Sequence, residues 1–262
     1  MSVFASLDAE LDAWTALRRV ATLWLRDDDA CHDSPELRRL LAIAAAHRIP
    51  LALATIPALL DPGLPKALAD AECATIVQHG FAHANHAPPG DRSAELGAHR
   101  HRRAVHDELA RGRDVLARVF ASRFVPVLVP PWNRIADDLL PALNGLGFTG
   151  LSRFGPRKCC VPSPGVCEVN AHVDPIAWRR DRRFIGAASV VERLVSQLRA
   201  RREHACDPDE PTGLLTHHLV FDAAAWEFLD ALFAHTRRHA AVQWHDVVHA
   251  FGAARATSVR PA

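Results

Sequence analysis

The chain of 262 residues is 49% hydrophobic and 23% charged, long enough to bury a large core. Its 31 basic and 30 acidic side chains leave a formal charge of +1, which argues against the concentrated basic face that nucleic-acid binding needs. No apolar run approaches the roughly 20 residues of a membrane span.

The start of the chain, with Asp8, Glu10 and Asp12, is acidic and amphipathic rather than basic and apolar, so a cytoplasmic protein is expected. Cys31, Cys73, Cys159, Cys160, Cys167 and Cys206 are too sparse for a disulfide scaffold. The Cys159, Cys160 and Cys167 group lacks the Cys-x2-Cys spacing usual for structural zinc, so free thiols are expected.

In chain order, residues 1–19 read as an N-terminal helix and 20–25 as a strand. Ser34, Pro35 and Glu36 then supply an N-cap, a proline at the first helical position and an acid in the first turn of a helix to about residue 48. Strand 51–56, a short helix over 65–71 and strand 74–78 follow, then a Pro/Gly loop and a long helix over 94–120. Strand 124–129 leads to a helix over 137–146 that Gly147 terminates. Strands 148–151 and 168–173, helix 188–203, strand 213–217, helix 223–238 and strand 242–244 complete the pattern, ahead of a short terminal helix. The 152–167 stretch is irregular and reads as a lid or a connection. Strand-helix alternation of this kind implies a parallel sheet, and seven or eight such units imply an α/β barrel over 20–250 within a single domain spanning 1–262.

The polar residues of interest sit where apolar runs end. Asp27, Asp28 and Asp29 follow one strand; His79 follows a second; Trp132 and Arg134 follow a third; Asp174 and the His217-His218 pair follow two more. In a parallel barrel these ends converge on one face. His79 and His83 are an i, i+4 pair, and two imidazoles with a carboxylate from Asp28 or Asp29 form a common three-ligand set for a divalent metal. Trp132 and Trp178 read equally as core aromatics or as flat walls at the mouth, and Asn85 and His86 as an exposed loop or as candidates for substrate contact or ligand support. His172 and His245 are outsiders to the same face.

In order and spacing these residues resemble the polysaccharide deacetylase (NodB-homology) family. Arg26-Asp27-Asp28-Asp29-Ala30 is similar to its Thr-Phe-Asp-Asp-Gly motif, with Asp28 as catalytic base and Asp29 as metal ligand; the register Asp27 and Asp28 is the alternative. His79 and His83 match the two ligands of its His-Ser/Thr-x-x-His motif, with Gly80 at the Ser/Thr place. Pro131 and Trp132 match its Arg-x-Pro-Tyr/Trp motif without the arginine that orients the base, for which Arg134 is the nearby substitute. Asp174 and Trp178 echo Asp-x-x-Asp-Trp, with Ala177 replacing the second aspartate. His217 in Leu215-Thr216-His217 resembles the general acid, with His218 as its rival. The resemblance implies a distorted (β/α) barrel of about seven parallel strands. It also implies one divalent metal, zinc foremost with cobalt, nickel or iron as options. It further implies hydrolytic removal of an acetyl group from an N- or O-acylated small-molecule or oligosaccharide substrate, with metal-activated water attacking. Hydrolysis of small non-sugar amides, or an inactive carbohydrate-binding homologue, are the alternatives.

Overall fold

Helix α1 (Ala5–Ala16) opens the chain with Leu7, Leu11 and Trp14 buried at helical spacing. Strand β1 (Ala21–Ala30) follows, and Ser34 then caps α2 (Pro35–Ala46) by accepting the Leu37 amide at 3.1 Å. Next come β2 (Leu51–Thr55), α3 (Gly63–Ala67), β3 (Ala74–His79), α4 (Arg102–Phe120) and β4 (Phe124–Val129). Two short strands, β5 (Gly150–Leu151) and β6 (Cys167–Glu168), precede α5 (Ala187–Arg202), β7 (Thr212–Thr216), α6 (Ala223–Thr236), β8 (Val242–His245) and α7 (Val247–Thr257). This computed structural model describes residues 2–257; of the expected 1–262 domain, Met1 and 258–262 lie outside the described residues.

The strands are ordered β6-β5-β4-β3-β2-β1-β7, all pairings are parallel, and β8 pairs with the first half of β1. Between β6 and β7 no regular ladder forms among the described residues. Single parallel contacts, Phe154 with Ala171 and Val173 with Leu214, carry the sheet round, and Leu215 N donates to Val173 O at 2.8 Å. The result is the expected distorted (β/α) barrel.

Successive strand residues point to opposite faces. Leu23, Leu25, Leu51, Leu53, Ile76 and Leu214 face outward into the main cluster beneath α1, α2, α5 and α6. Trp24, Ala52, Ala54, Val77, Val127 and Val129 face inward, where Val247, Ala250 and Phe251 of α7 join them. Burial on both faces explains the near-continuous apolar runs. The inward faces of β1 and β3 then continue, by the same alternation, to Arg26, Asp28 and His79.

Two helices differ from expectation. The helix expected over 94–120 starts only at Arg102; residues 94–101 form a loop in which Leu96 bridges Ile135. The helix expected over 137–146 is a short 3-10 turn (Asp137–Ala142), because Pro141 has no amide to donate to a continuing helix. Gly147 follows at φ 86° as the expected stop.

Candidate metal and hydrolytic site

Two consecutive aspartates on a regular strand would face opposite ways. Here Asp27 pairs with Leu53 but Ala30 with Thr55, so β1 gains one residue over β2, and Asp29 adopts φ 72°. This bulge brings both Asp28 and Asp29 to the barrel mouth. His79 ends β3 on the inward face, and His83 returns through a turn in which it adopts φ 54°.

Asp29 Oδ1 lies 3.2 Å from His79 Nε2 and 3.3 Å from His83 Nε2. His79 Nδ1 lies 2.9 Å from the Val129 carbonyl, to which it can only donate, leaving the Nε2 lone pair facing Asp29. One ligand atom from each of the three residues falls within 4.8 Å of the others. Asp29 Oδ1 is buried and accepts no hydrogen bond, so three donor atoms converge without satisfying one another. A shared cation would satisfy all three. Two imidazoles and one carboxylate suit zinc, iron, cobalt or nickel and leave coordination positions open. Burial works to raise the Asp29 pKa, but the imidazoles of His79, His217 and His83 outweigh it and hold the carboxyl far below its usual range. Burial, then the neighbouring His79, pushes His83 down. Those two shifts favour the deprotonated forms that a metal needs, whereas for His79 burial works downward but Asp28 and Asp29 outweigh it and raise the value.

Beside this set, Arg26 grips Asp28 at two points, Nε to Oδ1 at 2.8 Å and Nη2 to Oδ2 at 3.0 Å. Its other donors reach Asn133 Oδ1 at 2.6 Å, Ser152 Oγ at 2.7 Å and the Arg153 carbonyl at 3.1 Å. All five guanidinium N–H groups are thus used in a fully buried position. Arg26 therefore holds the orienting place for which Arg134 was the expected substitute. Arg134 instead donates to the Ser93 carbonyl at 2.6 Å and makes no bond to Asp28. The strand alternation carried a usable signal for Arg26, since residues i and i+2 share a face.

Asp27 points the other way. It accepts Thr216 Oγ1 at 2.8 Å, the His218 amide at 3.0 Å and His218 Nδ1 at 2.5 Å. The geometry thus brings Asp28 and Asp29, rather than Asp27, to the histidines, and directs His218 into a structural pair. His217 is left facing the mouth, its charge acting on both Asp29 and Asp174, its ring 4.6 Å from Trp178 and its Nδ1 without a partner. Asp174 accepts Trp178 Nε1 at 2.7 Å and the Ile176 amide at 2.9 Å, and burial raises its pKa.

Trp132 packs on His83 with centroids 4.4 Å apart and the rings tilted by 48°. Trp132 and Asn133 both adopt positive φ, 54° and 58°. With Asp29 and His83 that makes four strained residues in one site, a conformation costing about 1–3 kcal/mol each and held by its surroundings. Asn85 Oδ1 accepts the amides of Ala87 and Ala94, both at 3.0 Å, so it staples its loop; His86, next to it, is exposed. His172 pairs with buried Glu210 at 3.3 Å, and His245 pairs in register with Trp24 in the first half of β1, so neither reaches the site.

One residue stands out that the sequence reading did not single out. Glu95 is fully buried, and its carboxylate accepts the amides of Phe81 at 3.1 Å and Ala82 at 2.7 Å. A Cβ on Gly80 (φ 54°) would sit 2.0 Å from Glu95 Oε2. The glycine at the expected Ser/Thr place thus makes room for a carboxylate that fastens the His79–His83 turn. A surface cavity of about 730 Å³, bordered by Arg48, Pro50, Cys73 and Asp246, lies at the opposite end of the barrel and contains none of these groups.

Fold and site together define a (β/α) barrel with an Asp-His-His donor set and an arginine-held aspartate at its C-terminal mouth. No protein-family profile and no curated protein sequence matches the chain. Solved structures do. A candidate polysaccharide deacetylase from Mycobacterium smegmatis superposes with TM-score 0.67 at 16% identity, covering 92% of this chain and 93% of that one. Peptidoglycan deacetylase PdaC from Bacillus subtilis gives 0.58 at 11% identity over 92% and 94%. A CE4-family pseudoenzyme from Bacillus anthracis gives 0.58 at 14% over 88% and 66%. The chain has the polysaccharide deacetylase fold.

Proposed function

We propose that this chain is a metal-dependent hydrolase that removes an acetyl group from an N- or O-acylated sugar. The observation that carries the reading is Asp28, fixed by Arg26, beside the converging Asp29, His79 and His83 ligand atoms. A divalent cation held by those three would polarise water and the substrate carbonyl. Asp28 accepts the proton that water gives up as its oxygen bonds to the carbonyl carbon. Arg26 keeps that carboxylate oriented throughout. His217, near Asp29 and Asp174, donates a proton to the departing nitrogen or oxygen as its bond to the carbonyl carbon breaks. Acetate and a free amine or hydroxyl leave, and exchange with solvent resets both groups. Each proton transfer contributes about 10²–10⁴ in rate. Trp132 and Trp178 line the mouth as flat apolar walls, which favours a ring over a small linear amide.

The test is acetate release from a panel of N- and O-acetylated sugars and small amides by metal-reconstituted protein and by Asp28→Asn. Release by wild type, reduced at least a hundredfold in the variant, supports the assignment; equal rates overturn it. The similarity to a pseudoenzyme and the alanine at position 177 favour a second reading, an inactive carbohydrate-binding protein. Saturable sugar binding with no acetate release from any substrate would establish that reading instead.

A further inference from the structure

The mouth carries positive charge that the hydrolytic chemistry does not use. Arg134 lies two residues after Trp132, which packs on His83 at 4.4 Å; Arg179 follows Trp178, which packs on His217 at 4.6 Å. Arg92 precedes Ser93, whose carbonyl accepts from Arg134. Three loops that follow three different barrel segments therefore carry these arginines, and Arg134 Nη1 is held on the Ser93 carbonyl, next in sequence to Arg92. Arg92 and Arg179 are exposed and Arg134 is half-buried, and none of the three has a carboxylate partner among the described residues. The contrast with neighbouring arginines is direct: Arg26 and Arg153 are each paired at two points, with Asp28 and Glu168. The segment 178–183 adds Arg180, Arg182 and Arg183 against the single acid Asp181, whose side chain caps the Arg183 amide. On a chain with formal charge +1 this is a local concentration and not a general bias. The three charges also feel one another, since burial and then repulsion from Arg92 and Arg179 depress Arg134. Unpaired like charges gathered at a site mouth are stabilised by an anion, and guanidinium forks match phosphate and carboxylate oxygens.

We propose that Arg92, Arg134 and Arg179 form a subsite for a phosphate or carboxylate group on the acylated sugar, so that the preferred substrate is an anionic sugar derivative. This rests on the deacylase reading for turnover, but the anion subsite is measurable without it. The experiment compares kcat/KM for acetate release from N-acetylglucosamine, its 1-phosphate and its uronic acid at low and high salt. Wild type is compared with Arg92→Gln, Arg134→Gln, Arg134→Lys and Arg179→Gln. An exposed arginine on α4, changed as Arg118→Gln, serves as control. The anionic sugars should be favoured over the neutral one. That preference should fall about tenfold per arginine removed, as expected for loss of a charge-assisted contact, shrink in high salt, and stay unchanged in the control. A larger preference for the phosphate or for the uronate tells which oxyanion the subsite takes. Equal kcat/KM for neutral and anionic sugars, or a preference that the three variants leave intact, overturns the proposal. If no sugar is deacetylated, calorimetric titration with N-acetylglucosamine 1-phosphate decides alone. Binding that weakens at least tenfold in the variants supports the subsite while the deacylase reading fails, and no binding overturns both.

Discussion

Arg26 and Asp28 lie two residues apart on one strand and form a buried two-point ion pair, with bonds of 2.8 and 3.0 Å. The strand places a base and the group that orients it on the same face, so no second loop has to supply the arginine. Removing one partner strands the other charge, a change of about 3–5 kcal/mol in buried pairs. Arg26→Ala should therefore lower the unfolding free energy by several kcal/mol in urea titration. Arg26→Lys should fold better yet lose acetate release, because an ammonium cannot hold both carboxylate oxygens. A lysine variant with wild-type activity would refute the orienting role.

The Asp29, His79 and His83 convergence makes metal binding measurable without a substrate. Elemental analysis should find about one divalent ion per wild-type chain and a large loss in His79→Ala, His83→Ala and Asp29→Asn. Metal saturation at a hundred times Kd should stabilise the fold by about 2.7 kcal/mol, visible as a Tm increase that a chelator reverses. Unchanged metal content in the three variants would place the ion elsewhere.

Glu95 and Gly80 should behave as a coupled pair. Glu95→Ala leaves the Phe81 and Ala82 amides without their acceptor. Loss of such a support should weaken metal affinity about 10–100-fold. Gly80→Ser alone should destabilise, because its Cβ would meet Glu95 Oε2 at 2.0 Å. Combining Gly80→Ser with Glu95→Ala removes that clash but leaves the one with the Pro131 ring at 2.6 Å, so the double variant should stay below wild type yet be more stable than the two single changes sum to. Thermal melts together with metal titrations check this, and strict additivity would separate the two residues.

Much of the barrel was legible because its strands are buried on both faces and read as apolar runs, with polar residues at their ends. Ser34 and Pro35 marked the start of α2 for a local reason, a side-chain cap on the Leu37 amide. The site was legible only as far as local spacing reached. His79 and His83 were visible as a pair, but the bulge that turns both Asp28 and Asp29 inward has no residue signature, so the register along the aspartate run stayed open. Arg26 lay inside the very motif being read, yet its role depends on Asn133 and Ser152, distant in sequence. Glu95 fell within an expected helix, and only the tertiary fit against Gly80 explains why a carboxylate is buried there. The closing contacts between Val173 and Leu214 are single bridges that no periodicity announces.

The Asp27–His218 pair gives the chain a pH dependence with a definite sign. Burial works to lower the His218 pKa, but the charge of Asp27 and its hydrogen bond outweigh it and raise the value in the folded state. Unfolded histidine titrates near about 6.5. A raised folded value means that the protonated ring is favoured by folding. The resulting stability is therefore fully present below the unfolded value and is lost as pH rises through the folded one. Wild-type Tm should decline across the neutral to mildly alkaline range more steeply than that of Asp27→Asn or His218→Gln. Taking the difference between wild type and each variant removes the contributions of the other histidines. The Thr216 hydroxyl also donates to Asp27, so Thr216→Val serves as a control: it removes one hydrogen bond to Asp27 but keeps the charge pair, and its melt should retain the wild-type slope. Parallel profiles for wild type and Asp27→Asn would mean that the short contact carries no ionic character.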